Sequence, residues 1–118
     1  MGTEIHDQLR HRTKQLALRI IRLSRDLPAG RETDVIAKQI LRSGTAVAAN
    51  YHAAGRSRPR ADFVSKISVV AEEADETVFW LELLEEAGLL PANKLEPLLG
   101  EARQLTAIFT ASRRTAKA

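Results

Sequence analysis

Apolar side chains recur every three or four residues along nearly the whole chain, and that period admits only helix. Ile5, Leu9, Leu16, Ile20, Leu23 and Leu27, with Thr13 among them, fall on one helical face. Ile36, Ile40, Val47, Tyr51 and Ala54 form a second stripe. Phe63, Ile67, Val70, Ala74, Val78, Leu81 and Leu84 form a third, which Phe79, Trp80 and Leu83 widen. Leu95, Leu98, Ala102, Leu105, Ile108 and Phe109 form the last. Pro28 with Gly30, Gly55 with Pro59, and Gly88 interrupt the pattern. The spacing predicts helices over about 4–26, 34–54, 59–87 and 92–113, then a short, frayed basic tail at 114–118. Thr3, Thr33 or Asp34, Ser57 or Arg58, and Asn93 with Glu96 are the candidate caps. Pro59 suits the first turn of the third helix, and Gly55 the stop of the second. Four such helices on short turns, in a single domain of 118 residues, pack most economically as an up-down-up-down bundle.

The stretch "SGTAVAANYHAAGRSRP", Ser43 to Pro59, has hardly a large apolar side chain. A phosphate-binding loop would need Lys after its second Gly, and none is there. A linker would lack the periodic Ile and Val that run through this region. Alanine is the best helix former, so the stretch reads as a helix kept thin enough for another helix to approach closely.

The chain has no cysteine, which removes disulfides, thiolate metal sites and cysteine nucleophiles. No run approaches the roughly 18 apolar residues of a membrane span. "MGTEIHDQLR" has no apolar core for a secretory signal, so a cytoplasmic protein is expected. Di-iron bundles need Glu-x-x-His pairs, and no acid here has His three residues later. His6 and His11 are five apart, on different faces, and His52 stands alone. Ser43 and Ser57 read as packing and capping residues. No catalytic, cofactor or metal site is expected, and the chain does not read as an enzyme.

Charge is unevenly placed. Residues 1–66 hold thirteen Lys and Arg against six Asp and Glu, whereas residues 67–118 hold five against nine. Arg10, Arg12, Lys14, Arg19, Arg22 and Arg25 on the first helix, with Arg56, Arg58 and Arg60 at one turn, are the candidate nucleic-acid contacts. Solvated helix faces that happen to be segregated, or basic and acidic faces that meet in an oligomer, would leave the same pattern.

Residues 39–84 resemble the family called four-helix bundle proteins, related to proteins encoded in intervening sequences of bacterial 23S ribosomal RNA genes. The similarity lies in "QILRSGTAVAAN" (Gln39, Arg42, Ser43, Gly44, Asn50), "SRPRADFVSKISVV" (Ser57, Asp62, Phe63, Lys66) and "EEADETVFWLELL" (Glu73, Glu76, Trp80, Leu81). Ala54 and Glu72 depart from it, since many members have an acid and a Lys there. The resemblance implies a bundle that assembles into a ring, commonly a homopentamer. It also extends to the accessory protein of diversity-generating retroelements, a basic barrel that works with nucleic acid. No activity is implied for most members.

The leading expectation is a non-catalytic, oligomeric protein that binds RNA or DNA through phosphates. The alternative is a structural or protein-interaction module whose charged faces serve assembly. Arg42, Asn50, Lys66, Glu73 and Glu76 are expected to form hydrogen bonds and ion pairs between helices or subunits, and Tyr51 and Trp80 to pack.

Overall fold

The computed structural model describes residues 2–57 and 59–117, with side chains from residue 4 onward. Four helices account for nearly all of them: α1 Gly2–Asp26, α2 Arg31–Ala54, α3 Arg60–Glu86 and α4 Ala92–Lys117. The fold is the expected all-α four-helix bundle, 44 × 23 × 20 Å, about one helix long. Helix α2 packs on α1 and α3, and α3 on α4; α1 meets α4 only sparsely, and the diagonal pairs meet only through side chains in the core. The core is aliphatic: Leu16 and Ile20 meet Ile40, Val47, Ile67, Val70, Leu81, Leu84, Leu95, Leu99 and Leu105, with Phe109 as its one fully buried aromatic ring.

Several boundaries differ from the periodicity. Helix α2 begins at Arg31, after Gly30, and Thr33 is buried within its first turn instead of capping it. Pro59 takes the cap position of α3 itself, and its carbonyl accepts from Phe63 N at 3.1 Å. The candidates Thr3, as a cap, and Arg58 fall outside the described side chains. Gly55 closes α2 with ordinary right-handed angles. Gly88 is the left-handed stop, with φ 71°, and it completes a Schellman motif: Leu89 N donates to Leu84 O and Gly88 N to Glu85 O, both at 3.1 Å. The C-terminal residues expected as a frayed tail instead continue α4 to Lys117. Arg114 and Lys117 lie in its last turn, where cations oppose the negative helix end.

The small-residue stretch is helical, and its residues serve two purposes. Adjacent positions on a helix point about 100° apart, so Ser43 and Gly44 face different neighbours. Ser43 Oγ is buried 3.0 Å from the Thr77 hydroxyl of α3. Gly44 meets α1, where an added Cβ would stand 2.9 Å from Ile20 Cγ1. Gly100, inside α4, has nothing within 4 Å of its absent Cβ. The same substitution should therefore act in opposite directions. Gly100→Ala should stabilise by about 0.5–1 kcal/mol through backbone entropy. Gly44→Ala should destabilise by about 1–2 kcal/mol net, because overpacking exceeds the helix-propensity gain. Chemical denaturation of the two variants checks both signs.

Between α3 and α4, Glu85 Oε2 is closed off from solvent with no hydrogen-bond partner among the described residues. The nearby Glu96 carboxylate, together with burial and the charge of Glu86, holds the Glu85 carboxyl above the ordinary glutamate value of 4.5, against the pull of Arg103. A folded-state pKa above the unfolded one means that protonation favours the fold. That contribution is complete below pH 4.5 and is lost as pH rises through the folded value. Glu85→Gln, which mimics the protonated form, should melt at a higher temperature than the parent at pH 7. The difference should close as the pH falls below 4.5, as thermal melts across pH will show.

Candidate nucleic-acid interface

The polar residues that carry the family resemblance lie largely along the seam between α2 and α3. Arg42 donates through Nη1 to both carboxylate oxygens of Glu73 (3.1 Å each), through Nη2 to Glu76, and through Nε to Gln39 at 3.2 Å. The Trp80 indole donates to the same Glu76 oxygen at 2.9 Å. The Thr77 hydroxyl donates to the Glu73 carbonyl at 2.8 Å, beside Ser43. These groups face one another and consume their own hydrogen-bonding capacity, so their work is to fix α2 on α3. Asn50, expected to bond between helices or subunits, is half-buried and donates within its own helix, to Ala46 O at 2.8 Å. Lys66 likewise pairs along its own helix, with Asp62 at 2.9 Å, and that ion pair draws the Asp62 carboxyl below its usual value. Phe63 packs against the core.

The six candidate cations of α1 do not act as one patch. Arg12 bridges to α4, donating to both oxygens of Glu101 (2.9 and 2.7 Å) and to Gln104 at 3.0 Å. Its hydrogen bonds depress the Glu101 carboxyl pKa and raise that of the guanidinium. This fork is the main polar tie across the sparse α1–α4 edge. Arg10 pairs with Asp7 one turn back. Lys14, Arg22 and Arg25 are exposed and make no ion pair among the described residues. Arg19 turns toward α4, where it shares a shallow recess with Arg22, Asp26 and Lys94.

One end of the bundle gathers cations from sequence-distant places. Antiparallel packing brings the start of α1, the end of α2, the start of α3 and the end of α4 together there. The Tyr51 hydroxyl hydrogen-bonds His6 Nδ1 at 2.6 Å, and the Tyr51 ring lies 5.3 Å from Phe109. Burial pushes the Tyr51 phenol up, against the pull of Arg10, so it is protonated and able to donate at neutral pH. Arg60 donates twice to the Ala116 carbonyl, from Nε at 3.2 Å and Nη2 at 2.8 Å. That clamp sets the last turn of α4, with Arg113, Arg114 and Lys117, beside the turn that carries Arg56. Arg56, Arg114 and Lys117 are exposed and make no ion pair among the described residues. Arg113 is half-buried and borders Glu72 and Asp75. Two of the acids at this end are already paired, Asp7 with Arg10 and Asp62 with Lys66.

Sequence reasoning missed the C-terminal cations because it gave them no neighbours. The signal available was the register of an antiparallel pair, which puts the end of α4 next to the start of α3. No group of three or more His, Asp and Glu able to hold a metal occurs among the described residues. No helix there is long and apolar enough to cross a membrane.

The fold is similar to that in a crystal structure of a protein of unknown function from the S23 ribosomal protein family of Bacteroides thetaiotaomicron VPI-5482. The TM-score is 0.82 at 30% identity, and the similarity covers 89% of this chain and 97% of that one. No curated protein matches the sequence. The family described as 23S rRNA-intervening sequence protein matches over residues 7–111, from the second turn of α1 to within two turns of the end of α4. With that span and the four-helix arrangement both in agreement, this chain belongs to the 23S rRNA-intervening sequence protein family.

Proposed function

We propose that this protein is a non-catalytic, self-associating bundle that holds nucleic acid by its phosphates at the basic end. The clamp of Arg60 on the Ala116 carbonyl carries the reading, because it holds the end of α4, with the exposed Arg114 and Lys117, at the end of the bundle where the exposed Arg56 also lies. Cations without a carboxylate partner remain available to phosphate, whereas those spent within the bundle do not. This is why Arg12 and Arg42 are left out of the interface. Tyr51 is buried and offers no ring on which a base can stack. Contact through phosphates and overall shape follows, without base-specific readout. Self-association multiplies such contacts, each weak alone, by repeating the same surface. The family description refers to an intervening sequence of 23S rRNA, so structured RNA is the first ligand to test.

The test is binding of a labelled structured RNA and a matched DNA duplex across a salt series. The parent is compared with Arg56→Glu/Arg114→Glu/Lys117→Glu. The parent should bind at micromolar concentration or tighter in low salt, with affinity falling steeply as salt rises. Every cation withdrawn from a phosphate should flatten the log–log salt slope by about 0.9 on duplex DNA or about 0.7 on single strands. The triple variant should bind at least tenfold more weakly, with its helix content and mass unchanged. Equal affinity of parent and variant, or no binding at low salt, overturns the reading.

A further inference from the structure

Helices α1 and α3 occupy diagonal corners of the bundle, so their outward faces point in opposite directions. The outward stripe of α1 carries Arg10, Lys14, Leu18, Arg22 and Arg25, all exposed. That of α3 carries Glu72, Asp75, Phe79 and Glu86, also exposed. The stripes are opposite in charge and nearly equal in length, about 22 Å and about 21 Å at the rise of a helix. Glu72, Asp75 and Glu86, like Lys14, Arg22 and Arg25, make no ion pair among the described residues. Each stripe is interrupted by one large apolar side chain, Leu18 at 37% exposure and Phe79 at 53%.

The surroundings of these two side chains differ as a socket differs from a plug. Beside Leu18 a groove of about 730 Å³ opens between α1 and α2. Ala17, Thr45, Ala48 and Ala49 line it with small side chains, and the Arg10–Asp7 pair, His11, Lys14 and His52 line it with polar ones. The small lining residues leave room for a ring, and the unpaired Lys14, with Arg22 and Arg25 further along α1, favours acids around that ring. Phe79 stands edge-on against Trp80, with ring centroids 4.9 Å apart at 75°, and Trp80 is anchored by its hydrogen bond to Glu76. The Phe79 ring thus stands outward, more than half exposed.

We propose that a second copy of the chain fills the groove: Phe79 of one copy enters between α1 and α2 of the next. Its flanking Glu72, Asp75 and Glu86 then face Lys14, Arg22 and Arg25. This rests on the reading that the protein self-associates, and it assigns the surfaces that do so. Plug and socket lie on different faces of one subunit, so the contact is head-to-tail and propagates into a closed ring or an open filament. The same contact removes the α1 stripe from the nucleic-acid surface and leaves Arg56, Arg114 and Lys117 outside it.

Complementation in solution tests the assignment. Phe79→Glu spoils the plug and keeps the socket; Leu18→Glu spoils the socket and keeps the plug. Both positions are exposed, and circular dichroism should match the parent. By sedimentation, the parent should be oligomeric and each variant alone monomeric. An equimolar mixture should form a one-to-one dimer, since one intact plug and one intact socket remain. A variant that keeps the parent's mass, or a mixture that stays monomeric, overturns the assigned surfaces while self-association stands. A monomeric parent at tens of micromolar overturns self-association itself, and the groove assignment with it.

Discussion

The seating of α2 between α1 and α3 is the constraint on which the rest of the bundle depends. At one level of the helix, Gly44 lets α1 close to van der Waals distance, and Ser43 meets Thr77 of α3 in a buried hydroxyl pair. A larger side chain at either position would force a neighbour outward, because close-packed interiors have no slack to absorb it. The ionic seam of Arg42, Glu73, Glu76 and Trp80 lies on the same side of α2 as Ser43, and it fixes the register of α2 against α3. Three successive helix pairs then pack tightly, and only the edge between α1 and α4 stays loosely closed.

That loose edge explains why the cations of α1 have unequal fates. Arg12 is drawn across to Glu101 and Gln104, and the charged fork does there what apolar packing does elsewhere. On the outward face Arg10 pairs with Asp7 of its own helix, and Lys14, Arg22 and Arg25 make no ion pair among the described residues. Many polar residues of the family resemblance, Arg42, Ser43, Glu73, Glu76 and Trp80 among them, hold α2 on α3.

The paired stripes of α1 and α3 give the charge segregation of the sequence a geometric meaning. Basic and acidic faces on diagonal helices cannot neutralise each other within one subunit, since the core lies between them. They can do so between subunits. Glu72 adds to the acidic stripe, and Ala54 is buried.

Helix existence, the aliphatic core and the reading of the thin stretch were legible in the sequence because each is a local property: a period of 3.6, the propensity of alanine, the placement of Gly and Pro. The aromatic roles of Tyr51 and Trp80 were legible for a similar reason. What the sequence could not show was which charges remain unspent. Arg12 and Arg22 are indistinguishable in a linear reading, yet one meets a carboxylate 89 residues away and the other none among the described residues. Arg114 and Lys117 read as a tail until antiparallel packing set them beside Arg60. Pairing of charges depends on distance in space, and in an antiparallel bundle distance in space is decided by how the helices pack.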